Sequence, residues 1–308
     1  MIKPELKKNV QGIFLENESM SKHTSYGIGG KVMAYITPYD IKDLIKIIKI
    51  INRNNLKFYF VGSGSNLLVN DKKINAIIIT PAKALKSLTI KNNKINAESG
   101  VMLGRMVKEA IKHNLTGLES LVGVPGTLGG AIMMNAGAWG SEISNYLISV
   151  DVINTNGKIK TLYPKDLEFS YRQSSFKSNE FILSAEFELS KSTKVEIEKK
   201  KLIASKGRIS SQPLRYRSAG SVFKNPHNKL AAGFLIDEAG LKGTRIGEAE
   251  ISTHHANFFI NHGNAKAIDI AKLIKLSRKT IYDKFGIMLE LEIKTIGFES
   301  TDLYPHAI

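Results

Sequence analysis

One segment constrains the fold of this chain more than any other: residues 123–140 have the sequence GVPGTLGGAIMMNAGAWG. Six of these eighteen residues are glycine, yet large apolar residues such as Leu128, Ile132 and Trp139 stand between them. Flexible linkers are rich in glycine and serine and lack large apolar side chains, so this segment is not a linker. Glycine among apolar residues predicts a backbone that a flat or charged group approaches closely.

The composition limits which classes of protein this chain can belong to. The chain has 308 residues, 43% hydrophobic and 23% charged, which is typical of a globular protein with two domains or one large domain with a lobe. It has no cysteine, which excludes disulfides, thiolate metal sites and a cysteine nucleophile, and which fits a reducing compartment. The N-terminal residues lack the apolar core of a signal peptide, and no stretch approaches the roughly 20 apolar residues of a membrane span. We therefore expect a cytoplasmic protein without a membrane partner.

The net charge of +16 has two interpretations. One is a polyanionic partner, either nucleic acid or phosphorylated ligands. The other is compositional drift, because lysine far outnumbers arginine and because isoleucine and asparagine are frequent, as a genome biased toward A/T codons would produce. The lysines are scattered, and the chain has no nucleic-acid motif and no arginine-rich arm. We expect no nucleic-acid partner, and a salt-dependent DNA-binding assay would test that alternative.

Periodicity predicts a mixture of helices and strands. Apolar residues at helical spacing predict helices at 40–52 (with Asp40 as N-cap), 101–113, 193–206, 228–240 and 264–286. A buried strand begins at residue 57 and breaks into a Gly/Ser turn, and Asn156-Gly157 predicts a hairpin within 147–163. Further strands are predicted at 75–80, 181–190, 248–252, 257–263 and 287–297. These elements predict an α+β chain with mixed sheets, divided near residue 193.

A second glycine-rich segment, VGSGSN at residues 61–66, follows the strand that begins at residue 57. Leu67 occupies the place of the third glycine of G-x-G-x-x-G, and no helical pattern follows, so a Rossmann crossover is disfavoured. The chain also has no P-loop sequence. Successive backbone N–H groups with the hydroxyls of Ser63 and Ser65 can form a nest for a diphosphate, although a plain strand-to-loop turn has the same pattern. Together the two glycine-rich segments can line both sides of an extended cofactor.

Five motifs occur in a specific order: VGSGSNLLV, GVPGTLGGAIMMNAGAWG, YRQSSFK, AGSVFKNP and LELEIKTIG. Over nearly the whole chain, from about residue 10 to residue 298, they resemble the UDP-N-acetylenolpyruvoylglucosamine reductase family, flavoenzymes of peptidoglycan precursor synthesis. The length resembles the shorter type of this family, which lacks an inserted tyrosine-bearing loop. The resemblance implies an α+β fold with a vanillyl-alcohol oxidase/PCMH-type FAD-binding module of two α/β subdomains at 1–192 (core about 27–190). A C-terminal α+β substrate-binding domain at 193–308 would follow it.

The family also implies a reaction and its cofactors. NADPH would reduce FAD, and the reduced flavin would pass a hydride to the vinyl carbon of UDP-N-acetylglucosamine enolpyruvate. Protonation of the resulting enolate would give UDP-N-acetylmuramate. We expect FAD as cofactor, NADPH as reducing co-substrate, no metal, and a monomer. Another FAD-linked oxidoreductase of the same cofactor fold, such as an oxidase of small alcohols, is the alternative, and it would not require the catalytic residues named next.

The resemblance assigns three catalytic residues. Ser221 in AGSVFKNP would protonate the enolate, and Arg172 in YRQSSFK would hold the substrate carboxylate with its guanidinium fork. Glu292, the second carboxylate of LELEIK, would be the electrostatic or acid partner. Taken alone, a serine such as Ser221 is usually a turn hydroxyl, and Arg172 is equally a surface or ion-pairing arginine. Glu292 and Glu290 share one strand face, where outward solvated carboxylates are the ordinary interpretation. Glu290 has no assigned role.

Further residues are expected to bind the cofactor or the substrate. The FAD diphosphate would lie on 62–66 and the flavin region along 123–137. The expected cofactor-binding residues are Tyr26, Gly62, Ser63, Gly64, Ser65, Asn66, Leu67, Gly123, Pro125, Gly126, Thr127, Gly129, Gly130, Asn135 and Gly137. The expected substrate-binding residues are Arg215, Lys224 and Asn225, and Arg217 is a further candidate for the diphosphate, at a position where the shorter type commonly has proline. His254, His255 and Asn257 match a family segment, and we expect the histidines to be structural.

Overall fold

The computed structural model describes residues 4–226 and 230–305. Its α-helices are α1 (Pro4–Asn9), α2 (Ile41–Arg53), α3 (Leu103–Lys112), α4 (Leu128–Met133), α5 (Lys194–Ser211), α6 (Ala232–Glu238), α7 (Ala267–Phe285) and α8 (Ser300–Leu303). Its strands are β1 (Ile13–Glu16), β2 (Val32–Thr37), β3 (Phe58–Phe60), β4 (Leu67–Val69), β5 (Ile74–Ile79), β6 (Leu88–Lys91), β7 (Lys94–Glu98), β8 (Leu115–Thr116), β9 (Gly137–Ala138), β10 (Ser141–Glu142), β11 (Leu147–Asn154), β12 (Ile159–Leu162), β13 (Phe169–Ser170), β14 (Gln173–Ser174), β15 (Glu180–Glu188), β16 (Ser190–Lys191), β17 (Arg245–Ile246), β18 (Ala249–Ile251), β19 (Phe259–Asn261) and β20 (Lys294–Ile296).

Helix α2 shows how the local sequence sets an element. The side chain of Asp40 accepts a hydrogen bond from the backbone N–H of Asp43 at 2.8 Å, so the helix is capped at the predicted residue. The apolar residues of its inner face are buried: Leu44, Ile47, Ile48, Ile50 and Ile51. Burial of this stripe stabilises the helix more than its intrinsic propensity does, because β-branched residues are only moderate helix formers.

The chain forms two compact units that interleave along the sequence. The first unit contains the residues up to Asn17, then Met33–Ser63 and Asn75–Arg208. The second contains Glu18–Val32, Gly64–Ile74 and the residues from Ile209 onward. These interleaved units are not the two consecutive domains that the sequence predicts on either side of residue 193. That domain boundary stays a prediction.

The two largest sheets of the first unit each have their own hydrophobic cluster. One is an antiparallel sheet in the order β12-β11-β15-β7-β6, and its cluster includes residues of α3 and α4. The other has the order β1-β2-β5-β3, with β3 and β5 parallel, and its cluster includes the buried face of α2. This arrangement agrees with the two α/β subdomains that were expected.

The second unit is built around α7. A sheet in the order β17-β18-β19 contributes to its core, and β4 pairs in parallel with β20. Arg278 of α7 is fully buried in this core, where its Nε donates to the carbonyl of Leu289 at 2.9 Å and its Nη1 to that of Leu303 at 2.8 Å. Its guanidinium also lies 3.7 Å from the ring centroid of Tyr304. Through these contacts Arg278 holds Leu303 and Tyr304, near the end of the described residues, against the core.

Most predicted elements are present. The helices at 40–52, 101–113, 193–206 and 264–286 are confirmed as α2, α3, α5 and α7, and the hairpin at 147–163 as β11–β12. The helix predicted at 228–240 is α6, although Asn228 and Lys229 lie outside the described residues. The strand predicted at 287–297 is wrong over most of its length, because only Lys294–Ile296 is a strand. Residues 290–292 instead bond to residues 222–224 through separate contacts rather than a continuous ladder.

Candidate functional site

The Gly62 loop lies at the carboxyl edge of the parallel strands β3 and β5 of the first unit. The hydroxyl of Thr80, directly after β5, donates to the carbonyl of Gly62 at 3.2 Å. A Cβ atom on Gly62 would lie 2.2 Å from Oγ1 of Thr127, which is far inside van der Waals contact. The two glycine-rich segments therefore touch at this point, and a larger residue at position 62 would displace the Thr127 side chain or the backbone.

Backbone hydrogen bonds join residues 99–103 to the start of the long glycine-rich segment. The backbone N–H of Leu128 donates to the carbonyl of Val101 at 2.8 Å, and that of Gly129 donates to the carbonyl of Ser99 at 2.9 Å. In the other direction, the N–H of Leu103 donates to the carbonyl of Gly126 at 2.9 Å. Gly126 and Gly129, two of the expected cofactor-binding residues, thus have a fixed backbone at the start of α4.

The loop after β3 has donors suited to an anion. Within residues 4–226 and 230–305, the backbone N–H groups of Gly62, Ser63 and Gly64 donate to no protein acceptor. The hydroxyl oxygen of Ser63 is buried and has no hydrogen-bond partner among the described residues. Consecutive unsatisfied amides and a hydroxyl form the kind of nest that binds a diphosphate, so these residues fit the FAD expected there.

Asn135 connects the end of the glycine-rich segment to the turn that carries Arg172. It is fully buried and adopts a φ of +43°. Its Nδ2 donates to Oε2 of Glu142 at 2.6 Å and to the carbonyl oxygen of Ser170 at 3.0 Å. Arg172 adopts a φ of +56°, and its guanidinium lies 4.9 Å from the ring centroid of Tyr171. The first unit thus joins Asn135, through Ser170, to the turn that carries Arg172.

In the second unit, the segment that carries Ser221 lies next to the segment that carries Glu292. The backbone N–H of Glu292 donates to the carbonyl of Val222 at 2.8 Å. Ser221 itself forms an antiparallel bridge with Phe258. Both Ser221 and Glu292 are half-buried. Two of the three expected catalytic residues therefore lie on adjacent segments of one unit, and Arg172 belongs to the other unit.

The expected substrate-binding residues next to Ser221 make contacts of their own. Nζ of Lys224 pairs with Oε1 of Glu290 at 2.7 Å, and the Lys224 side chain is only 13% exposed. Oδ1 of Asn225 accepts a hydrogen bond from the backbone N–H of Ala232 at 3.1 Å, at the start of α6. Glu290, which the sequence leaves without a role, is therefore the counter-ion of Lys224.

Asn66 lies in the second unit and binds the backbone around Glu292. Its Nδ2 donates to the carbonyl oxygen of Glu292 at 3.1 Å, and its carbonyl accepts from the N–H of Lys294 at 3.0 Å. Gly64, also in this unit, has a φ of +69°, and a Cβ there would lie 2.0 Å from the carbonyl oxygen of His23. These contacts explain the residue types at 64 and 66, and their role toward a cofactor stays a prediction.

The remaining expected residues of the second unit differ in exposure. Tyr26 is fully buried in the core, and this burial raises the pKa of its hydroxyl. Arg215 and Arg217 are exposed. The carbonyl of Arg217 accepts from the N–H of Asn261 at 2.9 Å, and a proline at that position would supply the same carbonyl. The replacement of the expected proline by Arg217 therefore keeps this contact.

Comparison with known proteins gives two family matches. Residues 212–296 match the model of the UDP-N-acetylenolpyruvoylglucosamine reductase C-terminal domain, and residues 32–163 match that of an FAD binding domain. The reductase of that name from Caldicellulosiruptor bescii is 44% identical over 294 residues, covering 94% of this chain and 93% of the relative. The one from Carboxydothermus hydrogenoformans is 40% identical over 297 residues, covering 96% and 98%. This chain belongs to the UDP-N-acetylenolpyruvoylglucosamine reductase family.

A solved structure supports the same conclusion. The family member from Thermus caldophilus has a TM-score of 0.78 and 30% sequence identity, covering 93% of this chain and 99% of that one. The family resemblance and the α+β fold with an FAD-binding module are thereby confirmed. The roles of the individual site residues are not tested by these comparisons.

Sequence reasoning assigned no role to two acidic residues that bind expected site residues. Glu142 binds Asn135, and Glu290 binds Lys224. An isolated acidic residue is by itself uninformative, and in each case the partner is set by tertiary packing. The described ranges also contain no helix long and apolar enough to span a bilayer, and no three His, Asp or Glu side chains grouped to hold a metal ion.

Proposed function

We propose that this chain reduces UDP-N-acetylglucosamine enolpyruvate to UDP-N-acetylmuramate with NADPH, through bound FAD, in peptidoglycan precursor synthesis. FAD, when bound, supplies the hydride chemistry that no side chain provides. The amides of Gly62–Gly64 and the buried Ser63 hydroxyl would hold its diphosphate. The segment from Gly123 to Gly137 would contact its flavin region.

Three side chains would act on the substrate. Arg172 would bind the substrate carboxylate, where a guanidinium fork neutralises the charge that develops on the enolate oxygens. Ser221 would donate its hydroxyl proton to the substrate carbon that does not receive the hydride. Glu292 would be the electrostatic or acid partner of that step. Lys224, Asn225, Arg215 and Arg217 are the proposed contacts for the rest of the substrate.

The observation that carries this proposal is the hydrogen bond from the Glu292 amide to the Val222 carbonyl at 2.8 Å. It joins the segments of two proposed catalytic residues that are far apart in sequence. A hydroxyl and a carboxylate on adjacent, half-buried segments suit a proton transfer. The cation of Lys224 on the same segment suits an anionic substrate.

An anaerobic visible-absorbance titration tests the proposal in two steps. NADPH is added to the purified protein, followed by UDP-N-acetylglucosamine enolpyruvate. We expect a flavin spectrum that NADPH bleaches and that the enolpyruvyl substrate restores. Bleaching without restoration by the substrate would favour the alternative, another FAD-linked oxidoreductase. A protein that cannot be loaded with FAD would contradict the proposal altogether.

The expected setting of the reaction follows from its substrates. NADPH and a UDP-sugar are nucleotides of the cytoplasm, so we propose a cytoplasmic enzyme without membrane or nucleic-acid partners. We also propose a monomer that needs no metal. Sedimentation of the FAD-loaded protein tests the monomer, and titration with duplex DNA at low and high salt tests the absence of a nucleic-acid partner.

A further inference from the structure

The turn that carries Arg172 is joined by a hydrogen bond on each side to residues 133–135 of the long glycine-rich segment. Strands β13 and β14 pair Phe169 with Ser174 and Ser170 with Gln173, so Tyr171 and Arg172 are the two turn residues. Before the turn, the carbonyl of Ser170 accepts from Nδ2 of Asn135 at 3.0 Å. After the turn, the hydroxyl of Ser174 donates to the carbonyl of Met133 at 2.6 Å.

Arg172 has a backbone conformation that side-chain-bearing residues rarely adopt. Its φ of +56° lies in the left-handed region, where glycine and asparagine are favoured. Such a conformation costs free energy and persists where the surrounding structure enforces it. The two contacts that flank the turn supply this constraint. They therefore fix the backbone position from which the Arg172 side chain extends.

Glu142 determines which way the Asn135 amide is oriented. An ionised carboxylate only accepts hydrogen bonds, so the end of the amide that meets Oε2 of Glu142 at 2.6 Å must be the NH2 group. The other hydrogen of this group then donates to Ser170. With the amide reversed, Oδ1 of Asn135 would face both the carboxylate and the Ser170 carbonyl, and both contacts would be repulsive. The Ser170 contact therefore depends on Glu142.

We propose that Glu142 is a positioning residue for Arg172, acting through Asn135 and Ser170. This inference rests on the proposed function, in which Arg172 binds the substrate carboxylate. Glu142 would matter for the step that uses Arg172, the reaction of reduced enzyme with the enolpyruvyl substrate. It would not matter for reduction by NADPH, which does not need the substrate carboxylate to be bound.

The test measures both half-reactions separately in the FAD-loaded protein. We expect Glu142→Ala to slow reoxidation by the enolpyruvyl substrate on the order of 10- to 100-fold, with reduction by NADPH within about twofold of the parent. Glu142→Gln, which can still present an oxygen to Asn135, should recover most of the loss. Glu168→Ala is the matched control, because it removes an exposed carboxylate just before the same hairpin. Should Glu142→Ala fail to fold, Ser174→Ala loosens the other side of the turn and should slow the same step.

A double-mutant cycle separates positioning from general destabilisation. In an Arg172→Ala background, Glu142→Ala should slow reoxidation by less than about twofold, because the residue it positions is gone. Equal losses in both backgrounds, or equal losses in both half-reactions, would overturn the inference. A parent protein that binds no flavin, or that the substrate does not reoxidise, would instead overturn the proposed function on which it rests.

Discussion

Asn257 binds both backbone polar groups of Phe223. Its Oδ1 accepts from the Phe223 N–H at 2.9 Å, and its Nδ2 donates to the Phe223 carbonyl at 2.8 Å. Its own carbonyl accepts from the N–H of Val222 at 2.8 Å. Asn257 is 3% exposed, so these bonds are made away from water. The residue that matches a family segment without an obvious chemical role thus fixes the backbone beside Ser221.

Asn257→Asp should weaken the second unit and the proton-transfer step together. The substitution keeps the acceptor for the Phe223 N–H but removes the donor to its carbonyl, which leaves a buried oxygen unsatisfied. We expect a loss of about 1–3 kcal/mol in the free energy of unfolding and slower reoxidation by the substrate. Urea unfolding and stopped-flow absorbance measure the two effects. Asn156→Asp, in an exposed hairpin turn, should change neither, and an Asn257→Asp protein equal to the parent in both would contradict the assigned role.

Ser221→Ala should separate the two half-reactions. Removal of the hydroxyl leaves reduction by NADPH intact but removes the proposed proton donor, so substrate-dependent reoxidation should slow by 10²–10⁴-fold or more, the usual range for a general acid. Rapid mixing of reduced protein with the enolpyruvyl substrate gives the rate. Ser218→Ala is the control, because that hydroxyl receives only a long hydrogen bond of 3.5 Å from Gly220. Normal turnover of Ser221→Ala would remove Ser221 from the mechanism.

Gly62→Ala should weaken FAD binding. The added Cβ would lie 2.2 Å from Oγ1 of Thr127, so the loop after β3 or the buried Thr127 side chain must shift. We expect at least about tenfold weaker FAD binding, measured by flavin fluorescence, since misplacing a binding group by about 1 Å is costly. Adding Thr127→Ala removes the clashing oxygen and should restore part of the affinity. If the double variant binds FAD no better than Gly62→Ala, the clash does not explain the loss.

His255 should make the second unit sensitive to acid. Burial lowers the pKa of its imidazole, a backbone hydrogen bond opposes this in part, and the nearby Lys242 cation lowers the pKa further. Its Nδ1 accepts a hydrogen bond from the N–H of Asn257 at 3.2 Å, which requires the neutral ring. The unfolded chain, with an ordinary pKa near 6.5, takes up a proton that the folded state resists, so stability should fall as the pH drops below about 6.5. His255→Asn, which can keep the acceptor, should flatten the decline seen in thermal unfolding between pH 7 and pH 5; an unchanged slope would show that His255 is not its source.

The sequence predicts best those features that depend on neighbours along the chain. Asp40 caps α2 because its side chain reaches an N–H three residues away, and the apolar residues that follow share one face. The hairpin at β11–β12 likewise needs only a turn and two alternating segments. The glycine-rich segments were predicted to line a cofactor because glycine among apolar residues indicates close approach to the backbone, and that role stays a prediction.

Features that depend on distant partners were not predictable. The segment at 287–292 has the alternation of a strand, but its backbone bonds go to residues 222–224, and sequence alternation does not reveal that partner. Glu142 and Glu290 acquire their roles from Asn135 and Lys224, to which no local pattern links them. Residues 18–32 and 64–74 also join the second unit although they precede the predicted boundary by more than a hundred positions.

The interleaving of the two units has a consequence for synthesis on the ribosome. Strand β4 pairs with β20, and Asn66 bonds to Glu292, a residue 226 positions further along. During translation, β4 therefore cannot pair until β20, far along the chain, has been synthesised. Throughout that interval its apolar residues are exposed to chaperones and to other nascent chains. The second unit therefore cannot be completed until Lys294–Ile296 has been synthesised, however early β4 emerges.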